Sequence, residues 1–360
     1  MSDKNKHGSH NKDLVLLIRG LIIGKLLTLV VVGGVLWWLR PRLWDFSVPS
    51  FQSSSTANAA ATASNFQKVS NVPIGSFDYG GSPAWAPIRQ LVDSQIVNAR
   101  PELQLRYVNP AKGSPGSSSG IRMLLNGQLD FAQSSRPLTK EESAIAQQRG
   151  FTLEQRPIAI DGVAVVVNPS LNVPGLTVDQ LEQIYRGEIA NWSQVGGPNL
   201  PITPFSQRPE DGDTGIFSAQ DGLQQPFGPN VQYVYSTTEA LRRVSQTPGG
   251  LYYASARGVI AQCSVKPLPL GRTANQLVPP YREPLVSPEQ CPSQRNQLNL
   301  EAFENGSYPI TRNLFVIIKQ NQGKEQQAGE AYANLLLTQQ GQNALARAGF
   351  TQASLEQSTQ

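Results

Sequence analysis

Ser117, Ser118 and Ser119 stand between glycines in "GSPGSSSGIRMLLNGQLDFAQSSRPL", immediately before residues with helical spacing. Each hydroxyl can donate a hydrogen bond, and the flanking glycines let the backbone turn its amides outward, which together is the chemistry of an anion cradle. Gly80-Gly81-Ser82 and residues 208–215 fit the same description: glycine and hydroxyl groups where a strand-like run gives way to a helix. One such loop is equally a polar linker or a helix cap. Three helix N-termini meeting at one small anion would each supply amide donors and a dipole worth ~0.3 to 1 kcal/mol.

To hold such loops the chain must alternate strands and helices. Ile88, Leu91, Val92 and Ile96 have the spacing of one helix face, "LQLRYVNP" alternates like a strand, and Ile121, Leu124 and Leu125 line a second helix that Gly127 closes. "LDFAQSS" reads as a short strand. "IAIDGVAVVVNP" reads as a buried one, apolar almost throughout. In "LTVDQLEQIYRGEIANWSQVGG", Thr177 and Gln180 form a capping box and Gly187 ends the helix. "LPITPFSQR", "GGLYYASARGVI" and "YPITRNLFVII" supply further strands, and "QAGEAYANLLLTQQGQNALARAGF" is a last helix. This rhythm is that of α/β lobes, in which ligands gather where strand ends meet helix N-termini.

Several function classes are excluded. Both histidines, His7 and His10, precede an apolar run, so the folded part has no imidazole for a Ser-His-Asp or Cys-His set or for a His-containing zinc site. No GxxxxGK[ST] occurs. The first 45 residues hold seven of the 30 basic and three of the 26 acidic residues, so the remainder carries 23 of each sign. The basic balance is therefore N-terminal, and no nucleic-acid partner is expected.

Residues 21–39, "LIIGKLLTLVVVGGVLWWL", are apolar over the length of a bilayer span, with Lys25 near the start where it can snorkel. The basic excess before this run places residues 1–20 in the cytoplasm and the bulk of the chain outside, at the periplasmic face of the cytoplasmic membrane. Small-residue cleavage candidates at 57–59 and 61–63 lie far beyond the apolar run, which favours an uncleaved anchor over a cleaved, freely periplasmic form. Residues 40–70, rich in Ser, Thr, Ala, Asn and Gln, read as a flexible linker. Cys263 and Cys291 fall in the exported part and are not arranged as CxxC. A single disulfide is the natural reading there, the alternative being two buried thiols.

With these residues in hand, the chain from about residue 74 to 350 resembles the PstS family, the phosphate-binding proteins of bacterial phosphate ABC importers. "GGSPAWAPI" is similar to the family's first loop, and "GSSSGIRMLLNGQLDFAQSSRPL" to its GSSG-plus-helix segment and following turn. "DGVAVVVNP", the long LT…NW…GG block and "YPITRNLFVI" resemble further signatures in the same order. The resemblance implies an α/β, two-lobed type II periplasmic binding protein fold with a hinge, preceded here by one N-terminal transmembrane helix. Lobe 1 would comprise residues 71–162 and 309–360, and lobe 2 residues 163–308, with strand crossings near 161–165 and 308–312.

The function implied is extracytoplasmic capture of inorganic phosphate and its delivery to an ABC permease by a monomer that uses no cofactor or metal and catalyses nothing. Another oxyanion, or a membrane-tethered phosphate sensor or accessory subunit, is the alternative. The motifs imply ligand contacts from Ser82, Ser117, Ser118 and Ser135, and from Arg208, Asp211, Asp213, Thr214 and Gly215 of the other lobe. Three positions depart from the family pattern. Pro83 stands where a threonine is usual, Ser135 where some members carry a proton-accepting aspartate, and Asp213-Thr214-Gly215 where the pattern is SGT. A carboxylate near a phosphate dianion repels it unless a proton lies between them. Asp211 or Asp213 is therefore expected either to accept that proton or to point away.

Overall fold

The computed structural model describes residues 64–208 and 227–352. The expected tail, the anchor and most of the linker lie outside these residues, as do Asp211, Asp213, Thr214 and Gly215. Among the described residues no helix is long and apolar enough to cross a membrane.

The described chain starts inside the expected linker. Phe66 is fully buried and Val69 nearly so, and Arg100 donates to both of their carbonyls, at 3.1 and 2.6 Å. The linker therefore ends earlier than residue 70, because two apolar side chains in an otherwise polar stretch find a place in the core. β1 (Gly75–Gly81) leads into a helical segment, α1, built from a 3₁₀ turn (Pro83–Trp85), Ala86–Ile88, a π-helical turn (Arg89–Asp93) and Ser94–Ala99. The π turn adds one residue to the helical repeat and shifts the buried face. Ile88, Val92 and Ile96 are buried as the spacing predicts, but Leu91 is 42 % exposed and Asp93 turns inward instead.

β2 (Leu103–Tyr107), α2 (Ser117–Leu125), β3 (Phe131–Ser134), α3 (Lys140–Gln148) and β4 (Thr152–Val167) follow. Next come β5 (Leu176–Thr177), α4 (Val178–Arg186), β6 (Thr203–Ser206), β7 (Gln232–Tyr233), α5 (Thr237–Gln246), β8 (Gly250–Ser255) and α6 (Ala256–Val259). The chain closes with β9 (Lys266–Leu268), β10 (Leu270–Gly271), α7 (Leu300–Glu304), β11 (Thr311–Gln320), α8 (Lys324–Leu337), α9 (Gln339–Arg347) and β12 (Thr351–Gln352). The Thr177–Gln180 capping box and the left-handed Gly187 terminate α4 as expected. The last helix is two: Thr338 leaves the helical region, and its Oγ1 donates to Leu335 O and accepts from Gly341 N, ending α8 and capping α9.

The main sheet runs β2-β1-β3-β11-β4-β8-β6-β7, with β9 and β12 also pairing β4. β4 joins two halves. Residues 152–162 pair antiparallel with β11, and residues 163–167 pair with β8 and β9. The hydrophobic cores divide at the same point: one draws only on residues 163–310, and the others on residues 66–159 and 314–350. The molecule therefore has two α/β lobes, crossed where Thr311 pairs with Gly162 and Val163 N donates to Ile310 O. β4 begins six residues earlier than the apolar run implied, since the polar stretch before Ile158 pairs with the far end of β11. Pro157, which has no N–H to donate, sits where the β4–β11 register shifts.

Cys263 and Cys291 form a disulfide, with Cα atoms 5.8 Å apart.

β1 and β3 are parallel neighbours, and α2 lies against the end of β1. The approach is backbone to backbone. A Cβ added at Gly120 would come within 2.6 Å of Gly81 Cα, and one at Gly81 within 2.0 Å of Gln133 O. Gly120→Ala is expected to destabilise the protein by ~1 to 3 kcal/mol through overpacking, whereas Gly258→Ala, with open space around the new methyl, should be near neutral. Urea denaturation of both variants against the parent checks this; equal midpoints for the Gly120 variant and the parent would contradict it.

Candidate functional site

Three turns meet at the ends of these strands. Ser82 follows β1, and its N–H extends the parallel ladder by donating to Gln133 O at 2.8 Å. Its Oγ caps the helical segment, accepting from Ala84 N at 3.2 Å. Ser117 is the first residue of α2, and Ser135 directly follows β3. The three hydroxyls are neighbours: Ser82 Oγ donates to Ser135 Oγ at 3.1 Å, Ser117 Oγ lies 3.4 Å from Ser135 Oγ, and Ser135 N donates to Ser117 Oγ at 2.9 Å. All three are buried.

The structure thus brings together Ser82, Ser117 and Ser135 as the sequence predicts, and sends Ser118 elsewhere. Ser118 Oγ accepts from Arg136 Nη2 at 2.9 Å, and Arg136 in turn grips Glu142 with two hydrogen bonds of 3.0 and 2.6 Å. Ser119 donates to Ser114 O and Gly116 O, a local role that fixes the turn before α2. Arg208, after β6 in the second lobe, is exposed and lies with its guanidinium carbon 5.3 Å from the centre of the Tyr233 ring. The residue before it, Gln207, reaches the cleft described next.

Pro83, next to Ser82, and Pro115, two residues before Ser117, line a cleft of about 640 Å³. Its first-lobe wall includes Arg89 and Tyr107, its second-lobe wall Ser236, Thr237, Tyr252, Tyr253 and Arg257, and Arg312 of β11 also lines it. Among the described lining residues three are arginines and none carries a carboxylate. Such a cleft favours anions, and the low dielectric between two walls strengthens each charge–dipole contact. In the second-lobe wall Ser236 caps α5 through Glu239 N at 3.2 Å, and Ser206 and Tyr253 hydroxyls lie 3.0 Å apart.

A buried polar chain braces the first-lobe turns from behind. Arg89 Nη1 donates to Gln133 Oε1 at 3.1 Å and to Ser82 O at 3.4 Å, with its guanidinium carbon 4.0 Å from the Tyr107 ring centre. Gln133 Nε2 donates to Tyr332 OH, and Tyr332 and Tyr79 both donate to Asp93, at 2.8 and 2.6 Å. Burial pushes the Asp93 carboxyl up to about 6, against the opposing pull of the two tyrosine hydroxyls and Arg89. Burial likewise raises both tyrosines, so they remain hydroxyl donors.

Sequence reasoning missed Arg89 and Arg312 in the cleft wall, and Asp161, which accepts from Arg312 Nε at 3.1 Å and from Ser255 Oγ at 2.7 Å. Asp161 was detectable as the one charged residue in "IAIDGVAVVVNP"; the arginines carried no local signal.

A model of the PBP superfamily domain matches residues 60–340. The chain belongs to the PBP superfamily. Protein SphX of Synechococcus elongatus is 25 % identical over 260 residues, which cover 68 % of each chain. The phosphate-binding protein PstS of Pseudomonas aeruginosa is 23 % identical over 321 residues, 84 % of this chain and 92 % of that protein. In fold the superfamily member described here is similar to an ABC-type phosphate transport receptor from Vibrio cholerae, with a TM-score of 0.56 and 22 % identity over 78 % of this chain and all of the other. The two-lobed architecture is thus that of this superfamily.

The raised Asp93 carboxyl has a stability consequence with a definite sign. Below about pH 4 it is protonated folded and unfolded; between about 4 and 6 only the unfolded chain gives up the proton, so stability falls as pH rises through the window. Relative to Asp93→Asn, the parent is expected to lose ~3 kcal/mol over that window, at about 1.4 kcal/mol per pH unit of displacement. Denaturant titrations from pH 4 to 7 check this, and a pH-independent difference between the two proteins would contradict it.

Proposed function

We propose that this chain is an extracytoplasmic binding protein that captures inorganic phosphate between its lobes and delivers it to an ABC permease. The observation that carries the reading is the meeting of the Ser82, Ser117 and Ser135 hydroxyls at parallel strand ends, next to an arginine-lined cleft between two lobes. The PstS and SphX proteins named above support phosphate as the ligand, since the former is named for binding it.

In this reading the hydroxyls turn from one another to the anion, and the helix N-termini add amide donors and favourable dipoles. Hydroxyl rotation costs little, so the trio can exchange mutual hydrogen bonds for charge-assisted ones worth about 1.5 to 3 kcal/mol each. Several such contacts account for micromolar affinity, about 8 kcal/mol, with neither metal nor covalent chemistry. The second lobe contributes Arg208 and the segment with Asp211, Asp213, Thr214 and Gly215, and closure about the β4–β11 crossing brings the two halves onto the ligand. Residues 21–39 anchor the protein at the periplasmic face, where the linker that follows them lets the lobes reach a permease.

Calorimetric titration of the full chain with phosphate is expected to show one site of micromolar affinity. Ser135→Ala should weaken it at least tenfold. Phosphate affinity unchanged by Ser135→Ala would contradict capture at this trio, and equal or tighter binding of sulfate would contradict selection of phosphate by a proton-accepting Asp211 or Asp213.

A further inference from the structure

We infer that Arg312 is a ligand-contacting residue at the lobe crossing, held in place by Asp161 and Ser255; the inference rests on the anion-capture reading above. Arg312 and Asp161 are cross-strand partners one position from Thr311 and Gly162, where β4 passes from one core to the other. Arg312 Nε donates to Asp161 Oδ2 at 3.1 Å, and Ser255 Oγ, at the end of β8 in the second lobe, donates to Asp161 Oδ1 at 2.7 Å. Asp161 is 1 % exposed, while the Arg312 side chain lines the cleft.

A buried carboxylate must keep its hydrogen bonds and its counter-charge. Asp161 therefore fixes Arg312 through its Nε, and a guanidinium with five N–H donors can keep that bond while exchanging another contact for an oxyanion. Arg89 and Arg257 also line the cleft, but among the described residues Arg312 is the one whose carboxylate partner receives a hydrogen bond from the second lobe. An anion on Arg312 is then tied through Asp161 to both sides of the crossing. Such a contact makes lobe closure and anion charge parts of one network.

The test titrates the full chain with inorganic phosphate in four forms: parent, the charge-neutral pair Asp161→Asn/Arg312→Gln, Arg312→Lys, and Ser255→Ala. Neutralising both partners avoids leaving a buried carboxylate unpaired. A thermal melt confirms that each variant folds. The paired variant is expected to bind at least tenfold more weakly, Arg312→Lys to recover part of the loss because it keeps charge without the fork, and Ser255→Ala to lose only about two- to fivefold, because Asp161 keeps its bond to Arg312. Parent-like affinity in the folded paired variant overturns the role of Arg312 and leaves phosphate capture standing. A parent that binds no phosphate overturns both.

Discussion

The first-lobe turns depend on the contact of Gly120 in α2 with Gly81 at the end of β1, where any side chain on either residue would collide with backbone. That contact lets the first turn of α2 reach Ser82 and Ser135. Without it the three hydroxyls would belong to separate loops. A similar economy appears at Ser82, whose N–H continues the sheet, whose carbonyl accepts from Arg89 and whose hydroxyl joins the trio. The buried chain from Arg89 through Gln133 and Tyr332 to Asp93 stiffens the same turns from the core side. A satisfied buried network of this kind specifies one arrangement, because each broken member leaves a partner stranded.

The second organising feature is β4, whose first eleven residues belong to one lobe and whose last five to the other. Its partner β11 crosses beside it, so the lobes are joined by paired backbone rather than by a loop. The proposed closure would bend only a short stretch of two strands and leave each core intact. Asp161 sits at that stretch, bonded to Arg312 and Ser255, so the charge nearest the crossing also faces the cleft through its partner.

Much of this was legible in the sequence. Glycine and hydroxyl groups at strand-to-helix junctions marked the first-lobe turns, and the capping box and terminal Gly187 marked α4, because those features are encoded by local chemistry. Features set by tertiary packing were not. Leu91 has helical spacing but is exposed, since the π turn that admits Asp93 to the core has no signature in residue type. Ser118 is indistinguishable in sequence from Ser117, and only the position of Arg136 and Glu142 separates their roles. Phe66 lay in a stretch of linker composition, and its burial depends on a cavity that residues far along the chain create.

The central claim, that hydroxyls from three turns hold one oxyanion, is tested most directly by a crystal structure of the full chain grown with arsenate, whose arsenic scatters anomalously. The account predicts one anomalous peak whose surrounding oxygens lie within hydrogen-bonding distance of the Ser82, Ser117 and Ser135 hydroxyls. A peak elsewhere in the cleft, or an arsenate-saturated protein in which these serines make no hydrogen bond to the arsenate, would contradict it.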